Sequence, residues 1–212
     1  MNFISYLKKN NINFCINMTV NEINYKDVDR TIKLAHYLGA EDISVATVKP
    51  NGRGKATLSY NALRKIWKQV IDNKNLISKK FKIWGSEVTL FLYDFNTYKE
   101  SIERNENGSC TFGSVAMHVK SNGDILGCTA CDDVVLGNIF NSKKSDVLRN
   151  TWGNNMILNK IRSKKYLIGE CKTCKYLNFC GGCRCRAFGV YGNLYGPDPY
   201  CPIVMKKKMV TK

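Results

Sequence analysis

The chain has 212 residues, of which 44% are hydrophobic, and a formal net charge of +16 from 33 basic and 17 acidic residues. This length allows one large domain or two small ones, and no apolar run is long enough to span a membrane. The positive charge suggests a nucleic-acid partner. Two observations argue against that role: thiolates and any cluster they bind would cancel part of the charge, and most lysines occur singly or in pairs.

The first half of the chain predicts alternating strands and helices. Residues 12–20 alternate apolar and polar side chains, as a strand with one polar face does. A helix with Asn24 as its N-cap follows, and then a short strand at residues 43–48. Ser59 is expected to cap a second helix, and a third strand is expected to begin near Phe81. This order predicts parallel βαβ units.

The polar face of the first strand decides between two sheet architectures. A strand buried on both faces of an open parallel sheet would be apolar throughout, so we expect the wall of a barrel or half-barrel with helices packed outside. Ligand sites in such folds lie at the carboxyl ends of the strands. This places Asn17, Thr19, Asn21 and the loop Gly52-Arg53-Gly54 at or near the rim of a cavity.

After about residue 100 the chain becomes rich in loops. Residues 114–128 predict a β-hairpin with a type I′ turn at Asn122-Gly123. Residues 136–139, which read Leu-Gly-Asn-Ile, predict a turn that leads to a helix around residues 146–152.

Cysteines dominate the second half, since nine of the ten follow residue 109. Two-residue gaps let two thiolates of one turn converge on a metal, while distant loops supply further ligands. Disulfide frameworks are typical of small secreted domains, and the first 14 residues carry no apolar stretch of a signal peptide. We therefore expect a cytoplasmic protein whose reduced thiolates bind metal or iron–sulfur clusters. The candidate ligands are Cys110, Cys128, Cys131, Cys171, Cys174, Cys180, Cys183, Cys185 and Cys201.

Several motifs of this half occur in an order that is similar to a known family. They are Cys110, Gly123-x4-Cys128, Leu136-Gly137-Asn138-Ile139, Cys171-x2-Cys174-x5-Cys180, Cys183-Arg184 and Asp198-Pro199-Tyr200-Cys201. Together they resemble the SPASM domain, the auxiliary iron–sulfur module of many radical S-adenosylmethionine (SAM) enzymes. The first half, including Pro50-x-Gly52-Arg53-Gly54, resembles the later strands of the radical SAM partial barrel. The resemblance implies an α/β chain, with the C-terminal part of a partial (β/α) barrel at residues 1–100 and a cysteine-rich SPASM-type domain at residues 101–212.

The resemblance also implies which cysteines act together. Cys171, Cys174, Cys180 and Cys201 would hold one auxiliary [4Fe–4S] cluster, and Cys110, Cys128 and Cys183 would hold the other. The fourth ligand of the latter is Cys131 or Cys185, or the position is open to substrate. The spacing after Cys180 leaves the choice between Cys183 and Cys185 open as well.

One motif of the family is missing. Radical SAM chemistry needs a C-x3-C-x2-C loop that leaves one iron free for SAM, whereas this chain has only Cys15 before residue 110. The resemblance therefore implies a fragment, a truncated gene product or one piece of a split enzyme. Asn17, Thr19 and Arg53 would form part of a SAM pocket only if a missing N-terminal part completed it. The expected partners are a peptide or small-molecule substrate, an electron donor and the N-terminal half of a split enzyme.

Two other functions compete with this interpretation. Paired CxxC motifs are also typical of a structural zinc module that binds a partner or nucleic acid. A thiol oxidoreductase would use Cys180-Gly181-Gly182-Cys183 alone, but a single redox pair does not require the surrounding cysteines.

Overall fold

The computed structural model describes residues 2–55, 57–77, 79–85, 87–93, 99, 110–141 and 144–210. Its contacts divide the chain into two compact units. The first unit comprises Met1–Val48 and Thr57–Glu100, and the second comprises Lys49–Ala56 and Ser101–Lys212. The short segment Lys49–Ala56 thus packs with the second half of the chain. The expected domain boundary at residue 100 falls outside the described residues.

The first unit is built on a parallel sheet of three strands. Its elements are α1 (Asn2–Lys9), β1 (Cys15–Val20), α2 (Val28–Tyr37), β2 (Asp42–Thr47), α3 (Tyr60–Leu76), β3 (Lys82–Gly85) and a 3-10 turn at Leu90–Leu92. The strands lie in the order β1-β2-β3, and both neighbouring pairs are parallel. The parallel arrangement predicted from the alternation of strands and helices is confirmed.

Helices α2 and α3 pack against one face of this sheet. Ile43 and Val45 of β2 are fully buried, and the apolar stripes of both helices supply the rest of this core. On the other face Asn17, Ser44 and Trp84 lie side by side in the parallel register. Asn17 is exposed and Trp84 is 53% exposed, so this face has the polar, open character expected of a barrel wall.

The two helix caps predicted in this unit had different outcomes. Ser59 is the N-cap of α3, and its hydroxyl oxygen accepts a hydrogen bond from Ala62 N at 3.1 Å. Asn24 is not a helix cap, because α2 begins at Val28 with Asp27 at its N-cap position. The Asn24 amide instead donates to the Thr19 carbonyl at 3.0 Å, and so it closes the loop after β1.

The second unit combines an antiparallel sheet with short helices. Its elements are β4 (His118–Val119), β5 (Asp124–Leu126), β6 (Val135–Asn138), α4 (Lys144–Asn154), α5 (Met156–Ser163), a 3-10 turn at Gly169–Cys171, α6 (Arg184–Tyr191) and α7 (Pro202–Val210). The strands lie in the order β4-β5-β6, with both pairs antiparallel. Throughout the described ranges, every helix is too short or too polar to cross a membrane.

The predicted hairpin is present, but its turn is not type I′. That turn needs two residues with positive φ, and only Gly123 of the predicted pair has one, at 86°. The Lys120 carbonyl accepts from Gly123 N at 2.9 Å, so the turn begins one residue earlier than predicted.

The turn predicted at residues 136–139 is also wrong, because residues 135–138 form β6. The Asn138 amide explains this difference, since it donates to Asp124 Oδ1 at 2.9 Å and to the Asn122 carbonyl at 3.0 Å. These bonds fix the end of β6 against the hairpin. The helix predicted after it is present as α4 and is longer than expected.

Candidate metal centre

Five cysteine thiols of the second unit lie together. The Cys185 thiol hydrogen-bonds with those of Cys128, Cys131 and Cys183. The Cys183 thiol also hydrogen-bonds with Cys110. We call these five residues the first thiol group.

Three separate parts of the chain supply the first thiol group. Cys110 lies ahead of the hairpin, and Cys128 and Cys131 form a turn after β5 in which Cys131 N donates to the Cys128 carbonyl at 3.1 Å. Cys183 is the N-cap residue of α6, and Cys185 lies in its first turn with only 1% of its surface exposed. The CxxC spacing therefore supplies one pair, while the fold brings in the other three thiols.

Hydrogen bonds among these thiols perturb their acidity. The bond with Cys185 lowers the pKa of Cys128 to about 7. Bonds with Cys110 and Cys185 hold the pKa of Cys183 well below its usual range, and the positive charges of Arg186 and Lys49 act in the same direction. The pKa of Cys110 is raised because its thiol shares a hydrogen bond with Cys183. The group is therefore suited to holding some of its members as thiolates.

The other four candidate cysteines form the second thiol group, which comprises Cys171, Cys174, Cys180 and Cys201. Burial raises the pKa of Cys180 and raises that of Cys201 to about 12, and the charge of Cys171 contributes to both shifts. These three thiols are thus close enough to interact. A turn sets the position of Cys174 beside Cys171, because Cys174 N donates to the Cys171 carbonyl at 3.4 Å.

Backbone N–H groups point at the sulfurs of the second thiol group. Gly182 N donates to Cys180 Sγ at 3.2 Å. The backbone of Val204 and Ile203 at the start of α7 hydrogen-bonds with Cys201 and lowers its pKa against the effect of burial. Such N–H···S bonds stabilise thiolates and tune the metal centres that thiolates hold.

A buried ion pair, which the sequence motifs did not reveal, connects the two groups of cysteines. Asp198 Oδ2 accepts from Arg186 Nη2 at 2.7 Å, and its Oδ1 accepts from Arg186 Nε at 2.9 Å. The same carboxylate accepts from the backbone N–H groups of Cys183 and Tyr200 at 2.7 and 3.0 Å.

The donor chemistry of these sites fits iron–sulfur clusters. Within the described ranges, no three His, Cys, Asp or Glu side chains are arranged to hold a single metal ion. Both groups consist of thiols alone, and six of the nine cysteines are buried. Backbone N–H groups face sulfurs of the second group, at Cys180 and Cys201. Thiolate ligands with such hydrogen bonds are typical of [4Fe–4S] clusters.

The three candidate cofactor-binding residues lie in different units. Asn17 and Thr19 are exposed on the open face of β1, which belongs to the first unit. Arg53 is exposed in the segment Lys49–Ala56, which belongs to the second unit. Cys15 also lies on β1, where a hydrogen bond with Asp42 raises its pKa.

Comparison with known proteins supports the assignment of the second unit. Residues 110–175 match the family model of SPASM, an iron–sulfur cluster-binding domain. The chain is 28% identical over 209 residues to the AdoMet-dependent heme synthase of Methanosarcina barkeri, covering 93% of this chain and 58% of that protein. It is 27% identical over 200 residues to the PqqA peptide cyclase of Ruegeria pomeroyi, covering 92% of this chain and 51% of that protein. The chain thus spans about half the length of the curated relatives it matches.

Solved structures show the same fold. The crystal structure of Streptococcus suis SuiB matches with a TM-score of 0.65 at 22% identity, covering 94% of this chain and 48% of that chain. SuiB bound to its precursor peptide SuiA matches with a TM-score of 0.63 at 20% identity. The chain is therefore α/β, with a parallel sheet in its first unit and a SPASM domain in its C-terminal region, as predicted.

Proposed function

The chain is a radical SAM/SPASM-domain protein, and on that premise we propose that it is the part of a radical SAM enzyme that binds two auxiliary [4Fe–4S] clusters. The observation that carries this proposal is the first thiol group, in which five cysteines from distant parts of the chain hydrogen-bond with one another. Structural disulfides would pair such thiols, and isolated core thiols would have no reason to converge. Convergence of more than two favours a shared cluster.

The ligands divide between the two groups. In our proposal Cys171, Cys174, Cys180 and Cys201 hold one cluster. Members of the first thiol group hold the other, with Cys110, Cys128 and Cys183 as three of its ligands. Because Cys185 contacts three other thiols and Cys131 is linked to the group through Cys185, we favour Cys185 as the fourth ligand.

Bound clusters would supply one-electron transfer or a contact to substrate. The protein residues would set how readily they do so. Positive charge from Lys49 and Arg186 beside Cys183 favours the more reduced, more negative state of a cluster there. The Gly182 N–H that donates to Cys180 Sγ acts in the same direction at the other cluster.

The chain is proposed to be incomplete for SAM cleavage. Its first unit has the single cysteine Cys15, and β1 lies at the edge of the sheet order β1-β2-β3. Only Val20 of the six residues in β1 is buried, whereas every second residue of β2 is buried. A strand from an N-terminal half would pair with this edge and bring the cluster-binding loop with it. Asn17, Thr19 and Arg53 would then contribute to the SAM pocket.

The relatives support a role in peptide or cofactor maturation. Their names describe a heme synthase and a peptide cyclase, and SuiB binds a precursor peptide. We propose that the complete enzyme modifies a peptide or a small-molecule substrate and receives electrons from a separate donor. Residues 1–100 would provide the barrel part, and residues 101–212 the auxiliary cluster domain.

Metal and sulfide analysis of the purified chain tests this proposal. Anaerobic reconstitution should yield about eight irons and eight sulfides per chain, as two [4Fe–4S] clusters require. The competing function, a structural zinc module, would give tightly bound zinc and no sulfide. That result would overturn the proposal.

A further inference from the structure

A cavity of about 650 Å³ in the second unit has a strongly positive lining. Arg162, Lys164, Lys165 and Arg184 line it, and no Asp or Glu is among the described residues that do. Side chains of one sign around a partly enclosed space attract ligands of the opposite sign.

Arg184 lies between this cavity and the second thiol group, because it lines the cavity and its side chain also interacts with the Cys171 thiol. Its side chain is buried, with 1% of its surface exposed. Its Nη1 donates to the carbonyl oxygens of Leu194 and Gly196, each at 2.8 Å, and its Nε donates to the Gly182 carbonyl at 3.2 Å. Its Nη2 is buried without a hydrogen-bond partner. An unpaired N–H of a buried cation is costly, so a ligand atom that accepts from it would be stabilising.

Arg162 repeats this arrangement. Its Nε donates to the Gly113 carbonyl at 2.8 Å, its Nη1 donates to the Trp152 carbonyl, and the guanidinium stacks 4.3 Å from the centre of the Trp152 ring. The orientation of the guanidinium is thereby fixed. Its Nη2 is also buried and lacks a partner. Two fixed guanidinium groups thus each leave one N–H free on the lining of the same cavity.

The rest of the lining indicates the class of ligand. Leu167 and Ile161 are buried apolar residues of the cavity lining, and Leu177 lies beside them in it. An inorganic anion would leave this apolar surface without a contact, whereas an organic anion would cover it. Guanidinium groups bind planar carboxylates especially well, through pairs of N–H donors.

We infer that this cavity binds an organic carboxylate, whose oxygens accept from the free N–H groups of Arg162 and Arg184 and whose hydrocarbon part contacts Leu167 and its apolar neighbours. The site depends on arginine and lysine side chains, of which Arg184 also interacts with the Cys171 thiol, and its carboxylate ligand goes beyond the proposed iron–sulfur function. Cys110 also lines the cavity, which brings the bound carboxylate to the edge of the first thiol group.

Calorimetric titration of the reconstituted chain with three probes tests the inference. We expect 4-phenylbutyrate to bind at one site, and its neutral amide to bind at least about tenfold more weakly, because a charged acceptor is lost. Inorganic phosphate should also bind more weakly, because it leaves the apolar lining uncovered. Equal binding of the amide, tighter binding of phosphate, or no binding of the carboxylate would each overturn the inference.

Variants locate the binding. Arg162→Lys keeps the charge but removes the fixed Nη2 donor, and should weaken 4-phenylbutyrate about tenfold. Lys165→Glu reverses an exposed charge at the cavity and should also weaken the binding of 4-phenylbutyrate. Lys160→Glu changes a residue of helix α5 that does not line the cavity, and it should leave this binding unchanged. Equal effects of the two glutamate variants would place the carboxylate elsewhere.

An altered visible spectrum of Arg162→Lys with unchanged carboxylate affinity would assign this arginine to the iron–sulfur site and overturn the inference.

Iron and sulfide are measured on the same samples. Failure of the clusters to form is thereby distinguished from failure of the cavity to bind its ligand.

Discussion

The guanidinium of Arg186 and the carboxylate of Asp198 form a two-bonded ion pair with neither side chain exposed to solvent. The same carboxylate also accepts the backbone N–H groups of Cys183 and Tyr200. One side chain therefore fixes the start of α6, which carries two thiols of the first group, and the turn that leads to Cys201 of the second group. Removal of this carboxylate should disturb both sets of thiols at once.

Asp198→Asn tests the buried pair. The change leaves a buried guanidinium without its countercharge, and we expect it to lower the free energy of unfolding by about 3–5 kcal/mol. Urea denaturation of the reconstituted protein under anaerobic conditions measures this. Asp133→Asn, at an exposed position of the same unit, should change stability by less than about 0.5 kcal/mol. A loss below about 1 kcal/mol for Asp198→Asn would mean that the pair contributes little.

Cys174→Ala tests the second thiol group. The variant should retain about half of the iron, because one of two clusters is lost. Residues 165–205 should become sensitive to protease, because metal-binding energy is folding energy in a loop-rich domain. Cys15→Ala is the matched control, since this exposed thiol lies on β1 in the first unit, and it should keep its full iron content. Unchanged iron in Cys174→Ala would remove Cys174 from the ligands.

A pair of variants identifies the fourth ligand of the first group. Cys185→Ala should lose about half of the iron, because this thiol contacts three others and is a proposed ligand. Cys131→Ala should keep its iron. Both residues are buried and carry the same substitution, so differences in packing are small. The opposite result would exchange the roles of the two cysteines.

Gly189→Ala tests the contact between α6 and the segment Lys49–Ala56. A Cβ at Gly189 would lie 2.3 Å from the Pro50 carbonyl oxygen, so the segment would have to move. We expect a loss of about 1–3 kcal/mol in stability and faster tryptic cleavage after Arg53. Gly153→Ala, in helix α4 with no atom within 4 Å of the new Cβ, should instead stabilise by about 1 kcal/mol. Similar behaviour of the two variants would argue against the contact.

Assay of SAM cleavage tests whether the chain is catalytically incomplete. After dithionite reduction the isolated, reconstituted chain should form no 5′-deoxyadenosine, because a cluster with four cysteine ligands has no open iron for SAM. Formation of 5′-deoxyadenosine that is abolished by Cys131→Ala or Cys185→Ala would show instead that an auxiliary cluster binds SAM. The chain would then not be incomplete.

Local patterns predicted the three strands and helices α2 and α3 of the first unit, whereas helix α1 was not predicted. The strict alternation at β1 and the apolar stripe of α3 depend only on neighbours along the chain, and both elements are present, although β1 begins at Cys15 rather than at residue 12. Ser59 was correctly predicted as an N-cap because its hydroxyl bonds with a backbone N–H only three residues further along the chain, at Ala62. The Asn24 prediction failed because an asparagine can close a loop as well as cap a helix, and the sequence does not distinguish the two.

Contacts between distant residues were not predictable in the same way. Spacing indicated that Cys128 and Cys131 form one pair, but not that Cys185 would lie against both. The Arg186–Asp198 pair joins residues twelve positions apart, and no local periodicity reveals it. The strand β6 was missed because its position depends on hydrogen bonds from the Asn138 side chain, at the end of β6, to Asn122 and Asp124 of the hairpin.

The placement of Lys49–Ala56 has a consequence for how the protein can be divided. The chain leaves the first unit after residue 48, returns to it at residue 57 and leaves again after residue 100, so the two units are interleaved along the backbone. Expression of residues 101–212 alone would omit Pro50, which packs against Gly189, and Lys49, whose charge acts on Cys128 and Cys183. A cut near residue 100 therefore does not release an intact cysteine-rich unit, and a minimal version of it must carry those eight residues, covalently or as an added peptide.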